Sequence, residues 1–397
     1  MWPRAKLKFV ARFGYGDALP NDESQDGAFR VLGSNGPFTS SSRANTGAPA
    51  IVIGRKGSYG KVNWAAEPCF ASDTTFFVDE STSRNHLRWV YWLLQTLRLD
   101  EGTDEAAVPG LNRATAYSRD VLVPPIPQQR AIADYLDRET ARLDALVAAK
   151  ERVLGLLAEK RRAVITRAVT RGLDPNVPLR DSGIPWLGEI PVHWEVWKLG
   201  HSASVGNGST PSRSNATYWT DGTIPWLNSS VVNRYEATEA DQFVTETALR
   251  ECHLPLVRSG SVLVAITGQG KTRGQAVVLS FDTTINQHLA YVSPGLSRLD
   301  PWFLRWILLS AYAFLRSISD AAGGTKGALT CEDVANVRVP VPPIDEQRAI
   351  VAHIANKTDK LDDLRAATER TTALLNERRA ALITAAVTGQ IGVESAA

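Results

Sequence analysis

The chain has 397 residues, 44% of them hydrophobic and 22% charged, with a formal net charge of +2. This is the composition of a soluble multidomain protein with material for two or more cores, and the charge is too small to point to nucleic acid unless basic residues cluster locally. Cys69, Cys252 and Cys331 are too far apart for a disulfide framework or a zinc site, so buried thiols in a reducing compartment are expected. Met1-Trp-Pro-Arg has no apolar signal region, and the most apolar stretch, Trp302 to Leu315, is interrupted by Arg305. Neither secretion nor membrane spanning is expected, and the cytoplasm is the expected location.

In chain order, the first segment holds short apolar runs at Lys8 to Ala11, Ala50 to Ile53 and Thr74 to Val78. Turn signals separate them at Gly14-Tyr-Gly16, Asn35-Gly36 and Gly57-Ser-Tyr-Gly60. These predict strands and turns. A helix is predicted at about His86 to Leu97, with Asn85 as its N-cap. A long helix follows from about Gln128 to Val169, roughly 63 Å at 1.5 Å per residue. Its apolar positions Ile132, Leu136, Leu143, Val147, Leu154, Leu157 and Val164 average a 3.5-residue spacing, the mark of a coiled-coil seam. After the proline-rich linker Gly172 to Pro178 come a strand at Ser261 to Ile266, a turn at Gly268-Gln-Gly270 and a helix with Asp300 as cap and Pro301 in its first position. A second long helix carries Ile350, Ile354, Leu361, Leu364, Leu375 and Leu382 as its seam. Thr140, Lys150, Lys357 and Arg378 fall on or near the two stripes.

The order is a repeat. Val123-Pro-Pro-Ile-Pro-Gln-Gln-Arg-Ala-Ile132 returns as Val341-Pro-Pro-Ile-Asp-Glu-Gln-Arg-Ala-Ile350, and Ala163 to Thr170 matches Ala381 to Thr388. Trp2 to Leu7 aligns with Trp194 to Leu199, and Gly14, Gly16 and Pro20 align with Gly206, Gly208 and Pro211. The expected fold is α+β: two mixed α/β domains, two long antiparallel coiled-coil helices and an approximate two-fold internal repeat. The expected boundaries are 1–127 and 194–343 for the domains, 128–172 and 344–390 for the helices, 173–193 for the linker and 391–397 for a tail.

Catalytic motifs fail one by one. Ala265-Ile-Thr-Gly-Gln-Gly-Lys271-Thr272 has the loose form of a P-loop, but Gln275 to Leu279 continues as a strand where phosphate binding needs a helix, so a hairpin is expected. No lysine follows an acidic residue by two positions, no His-Glu-x-x-His or Gly-x-Ser-x-Gly occurs, and neither Pro-Pro pair sits in an Asn/Asp-Pro-Pro-aromatic context. No active site is expected. The aromatic helices Trp89 to Trp92 and Trp302 to Trp306 are expected in the core.

Two divergent domains, each closed by Val-Pro-Pro-Ile-x-x-Gln-Arg-Ala-Ile and a long helix, resemble the specificity subunits of type I restriction-modification enzymes. The preface Gly183-Ile-Pro-Trp-Leu-Gly-Glu-Ile-Pro-Val-His-Trp194 fits that family too, while the first copy starts at Trp2 without it. The resemblance implies a non-catalytic subunit whose two target recognition domains each read half of a split, asymmetric target in double-stranded DNA, while the helices set the spacing. It implies two methyltransferase subunits as partners, with motor and nuclease subunits joining through the complex. S-adenosylmethionine, ATP and magnesium would sit on those partners, with no cofactor or metal on this chain and no membrane contact. A standalone two-headed DNA-binding or scaffold protein is the alternative with the same architecture.

For DNA contact the residues point to two basic turns at corresponding places. The first comprises Arg55, Lys56, Ser58, Tyr59 and Lys61, the second Gln269, Lys271, Thr272 and Arg273. Arginine and glutamine can make bidentate contacts to base edges and lysine can neutralise phosphate. An ordinary solvated hairpin is the competing reading.

Overall fold

A strand, one helical turn and a second strand open each copy of the repeat. The computed structural model describes residues 2–19, 27–101, 110–268, 270–295, 298–321 and 327–393. The chain divides into two compact units, Met1–Val153 with Ala367–Ala397, and Leu154–Ala366.

In the first unit, strand Arg4–Lys6 pairs with Asp120–Leu122. A four-stranded antiparallel sheet runs in the order Gly14–Tyr15, Thr75–Val78, Ala50–Gly54, Val62–Ala65, and a three-stranded sheet is centred on Phe29–Gly33. In the second, Glu195–Lys198 pairs with Arg338–Val341. Its five-stranded sheet runs Ala203–Asn207, Leu289–Pro294, Val262–Ala265, Ala276–Leu279, Glu236–Ala237, and its three-stranded sheet is centred on Ile224–Leu227. The central strands, AIVIG and VLVA, are buried on both faces and read as unbroken apolar runs for that reason. The topology repeats although little of the sequence does.

Three local expectations change. Lys8 to Ala11 is no strand: Leu7–Val10 is one helical turn, matched by Leu199–Ser202, with Leu7 and Val10 buried three residues apart. A short apolar run does not distinguish the two periods. Gly14-Tyr-Gly16 is not a turn either, since Gly14–Tyr15 is a strand. The glycines serve close packing: a Cβ on Gly16 would lie 2.1 Å from the Ser72 carbonyl, and one on Gly208 would lie 1.7 Å from that of Ile285. Finally, Asn85 does not cap helix Leu87–Thr96. His86 is the cap residue without a side-chain bond, and the Asn85 amide donates instead to the Val10 carbonyl at 3.0 Å. Asp300 does cap its helix, accepting from the amides of Trp302 and Phe303.

The group that binds at His86 explains the repeated motif. Gln129, buried at the head of the first long helix, accepts from the His86 amide at 2.8 Å and donates to Asn85 Oδ1 and the Pro124 carbonyl. Gln347, its counterpart, accepts from the Asp300 amide at 2.8 Å and donates to the carbonyls of Arg298 and Pro342. Each motif glutamine therefore ties its long helix to the start of the aromatic helix beside it. One residue earlier, Gln128 accepts from Trp2 Nε1 at 2.9 Å, and Glu346 accepts from Trp194 Nε1 at 3.1 Å. The long helices end at Gly172 and Gly389, both near φ +70°, and both abut those tryptophans: a Cβ would come to 3.3 Å from Trp194 and 2.9 Å from Trp2.

The long helices span Ile126–Arg171 and Ile344–Val387. Within the first unit Ile132 and Leu136 share a cluster with Ile383, Ala386 and Val387, and Arg379 Nε donates to Asp144 at 2.8 Å. Within the second, Ile165 and Val169 cluster with Ile350 and Ile354, and Arg161 pairs with Asp362 at 3.4 Å. Rising numbers on one helix meet falling numbers on the other, so the pair is antiparallel. On the first helix the covered positions step by fours and threes through Leu136, Thr140, Leu143, Val147, Lys150, Leu154 and Leu157. On the second, the expected register needs correcting: Leu364 is 56% exposed and Lys357 and Arg378 are exposed, while Thr358, Leu361 and Thr368 are buried. A threonine bonded within its own helix, as Thr358 is to the Ala355 carbonyl, is far cheaper to bury than an ammonium group.

Trp89, Trp92, Phe303 and Trp306 lie in the cores as expected. Arg305 is buried among them, 4.5 Å from the Trp306 ring, and burial pulls its pKa down to about 10. Cys69 is buried, Cys252 and Cys331 are half-buried, and all three are free thiols. Among the described residues no helix is long and apolar enough to cross a membrane.

Candidate nucleic-acid interface

The first basic turn leaves the buried strand Ala50–Gly54 and returns as Val62–Ala65. Arg55 is held at both backbone ends: its amide donates to the Thr74 carbonyl and its carbonyl accepts from the Leu111 amide at 2.9 Å. Its half-buried guanidinium lies 5.3 Å from the Tyr15 ring and 5.8 Å from that of Phe76, and its Nε has no hydrogen-bond partner among the described residues. Lys56 and Ser58 are exposed beyond it. Tyr59 is half-buried and packs on the core. Lys61 Nζ donates twice to Asn35, at 2.9 Å each, so its charge sits on the neighbouring Asn35-Gly36 turn.

The second turn joins strands Val262–Ala265 and Ala276–Leu279, which pair antiparallel. It is the hairpin expected from the sequence, and no helix follows it to hold a phosphate. Gln269 lies outside the described residues. Lys271 is exposed, with its carbonyl accepting from the Tyr312 hydroxyl at 3.1 Å, and Thr272 is half-buried. Arg273 is 5% exposed, paired to Asp320 at 2.5 Å and bonded to the Gly327 carbonyl. Arg316 donates to the Gly270 carbonyl. Helix Tyr312–Ala321 therefore clamps the turn, and the Arg273 side chain is spent on that clamp.

Beside this hairpin lies an open cleft of about 720 Å³ whose lining includes Ser229, Thr267, His288 and Arg316. His288 Nδ1 and Thr267 Oγ1 are 2.7 Å apart, and Gln287 Oε1 accepts from Thr210 at 2.5 Å. At the corresponding edge of the first unit stand Tyr15, Arg55 and Arg113, with Arg113 4.7 Å from the Tyr15 ring. The correspondence is fixed by the backbone: Leu111 donates to the Arg55 carbonyl as Leu329 donates to that of Ile266, at 2.8 Å. From the sequence, the Gly14-Tyr-Gly16 segment that holds Tyr15 is a weaker candidate for DNA contact and His288 reads as a hydrogen-bonded structural histidine, while Arg113 carries no such signal by itself. Arg113 follows Asn112 at the same repeat offset that relates Cys331 to Thr330, both of them helix caps, and that offset is the one signal that leads to it.

The family model described as type I restriction modification DNA specificity domain matches residues 191–373. The type I restriction enzyme MjaIX specificity subunit of Methanocaldococcus jannaschii is 26% identical over 181 residues, 45% of this chain and 40% of that one. The EcoBI specificity subunit of Escherichia coli is 22% identical over 357 residues, 86% of this chain and 73% of that one. The chain is similar to type I restriction-modification specificity subunits over these spans. The fold agrees: a chain from a structural study of complex assembly and conformational transition in a type I R-M system superposes with a TM-score of 0.72 over 98% of both chains, at 17% identity. The match to the MjaIX subunit spans about two fifths of that relative's length.

Proposed function

We propose that this chain selects the DNA sequence on which a type I restriction-modification assembly acts, each target recognition domain reading one half of a split, asymmetric site. The observation that carries this is the paired edge. Two domains of one topology, locked to their long helices by the same glutamine, present different polar and basic side chains at the same place. Identical framing with unlike contacts is what two half-sites of unlike sequence require. Lys56, Ser58, Lys271 and Thr272 lie on the turns that approach DNA, and Gln269, outside the described residues, remains a candidate from the sequence; Arg55 and Lys61 support the first turn's charge, and Tyr59 and Arg273 fix the turns in place.

The same reading gives the long helices two tasks, setting the spacing between half-sites and docking two methyltransferase subunits. Leu146, Val153, Leu156 and Leu374 are exposed large apolar side chains on these helices, which supports a helical partner. Methyl transfer from S-adenosylmethionine to adenine, and the ATP- and magnesium-dependent steps, belong to the partner subunits in this proposal, and the chain itself performs no chemistry.

The test is to map methyl-adenine in DNA exposed to the chain, the methyltransferase subunit and S-adenosylmethionine together. One bipartite, non-palindromic motif is expected, with no methylation when either protein is omitted. A palindromic or continuous motif, or methylation without this chain, would reject the proposal.

A further inference from the structure

Tyr15 ends the strand Gly14–Tyr15, opposite Phe76, and is 49% exposed. Two guanidinium groups lie over its ring, Arg113 at 4.7 Å and Arg55 at 5.3 Å. They arrive from remote parts of the chain. Arg55 leaves the central strand, and Arg113 opens helix Arg113–Tyr117 directly after its Asn112 cap, whose side chain accepts from the amides of Ala114 and Thr115. Both backbones are thus fixed. Neither guanidinium meets a carboxylate among the described residues, in contrast to Arg88, which is paired with Asp137 at 2.8 Å. Among the described residues Arg113 makes one long hydrogen bond, Nη1 to the Phe13 carbonyl at 3.5 Å, and the buried Arg55 Nε makes none.

A guanidinium resting on an aromatic ring is satisfied across its face and keeps its in-plane N–H groups for a planar acceptor pair. In the major groove the matching pair is O6 and N7 of guanine, whereas a flexible lysine suffices for phosphate. We propose that Arg113, steadied on Tyr15 beside Arg55, reads a guanine in the half-site of the first domain. The assignment rests on the reading of this chain as a DNA specificity subunit. It gives the two halves different chemistry, because the corresponding positions of the second domain are Cys331 and Asn207, which offer no fork and no ring.

The experiment selects duplexes from a randomised library with the full chain, then measures affinity for single-base variants of the selected site at two salt concentrations. The proteins are the parent, Arg113→Ala, Arg113→Lys and Tyr15→Leu. Both Arg113 variants should lose a guanine preference at one base pair of the first half-site and leave the second half-site unchanged. Their affinity for the parent site should fall roughly 5- to 150-fold, the span covered by one bidentate contact. Tyr15→Leu should weaken the same preference at the same base pair. Should Arg113→Ala fail to fold, Arg113→Lys keeps the stem and the charge and decides the matter. Equal loss on all sequences with a smaller salt slope, or no loss, overturns the guanine assignment alone. A parent chain that selects no sequence in either half overturns the assignment and the proposed function together.

Discussion

The two motif glutamines show how much structural information one side chain can hold. Gln347 is fully buried and makes three hydrogen bonds, so a leucine of similar volume would strand the Asp300 amide and two carbonyls. Each buried group left unsatisfied costs about 1–3 kcal/mol. We expect Gln347→Leu to lower stability by more than about 2 kcal/mol in urea unfolding, and Gln129→Leu to do the same in the first unit. Asp79 offers a pH-dependent counterpart. Burial pushes its carboxyl up, but hydrogen bonds from Ser81, the Gly47 amide and Thr82 together outweigh that and hold it below its usual value. A depressed carboxylate contributes stability above its unfolded pKa, near 3.8, and loses it as pH falls through the lower folded value. Asp79→Asn should therefore destabilise the protein at neutral pH and flatten the decline in stability below about pH 4, as read from melting temperature against pH.

At the level of elements, the seam of the second long helix makes a sharp distinction between two leucines three residues apart. Leu361 is 8% exposed and Leu364 is 56% exposed. Aspartate at Leu361 would bury an unpaired charge and should cost several kcal/mol or unzip the pair, whereas aspartate at Leu364 should change stability by no more than about 0.5 kcal/mol. Circular dichroism melts of the two variants measure the difference. The helices themselves were legible in the sequence because a 3.5-residue period persisted for many turns and occurred twice. The register on the second helix was not, since Lys357 and Thr358 are adjacent and only the energetics of burial choose between them. The turn Arg55 to Lys61 and the hairpin at Gly268 to Gly274 were also legible, from glycines between apolar runs. What could not be read was the use made of each cation. Arg273 and Arg55 look alike in sequence, yet one is consumed by Asp320, more than forty residues away, and the other meets an aromatic ring contributed by a strand forty residues earlier. Long-range pairing of this kind leaves no local pattern.

For the whole molecule, the proposal makes helix length a functional quantity. Seven residues inserted near Ala148 preserve the seam and add about 10 Å of helix. If the helices set the spacing of half-sites, the insertion should lengthen the unread spacer in the methylation motif or abolish assembly, and methylation at the parent spacing would exclude the ruler. Damage to one reading edge should be felt in one half only. Lys56→Ala should weaken binding alike on all sequences of the first half and reduce the salt slope by about one, and Lys271→Ala should do so through the second.

The junction of Gln, Trp and Gly has a consequence for how such a protein can change over generations. Part of what fastens each domain to the helices lies at its borders: the opening tryptophan, the Val-Pro-Pro-Ile-x-x-Gln stretch and the glycine that ends a long helix, joined in the first domain by Arg88 and Trp92, which both bond Asp137. Tyr15, Arg55 and Arg113, at the proposed reading edge, are not among them. A foreign domain carrying the same borders and the same residues facing the helix would meet the same partners on arrival, so under the proposed function an exchange by recombination between two genes could deliver a new half-target in one event.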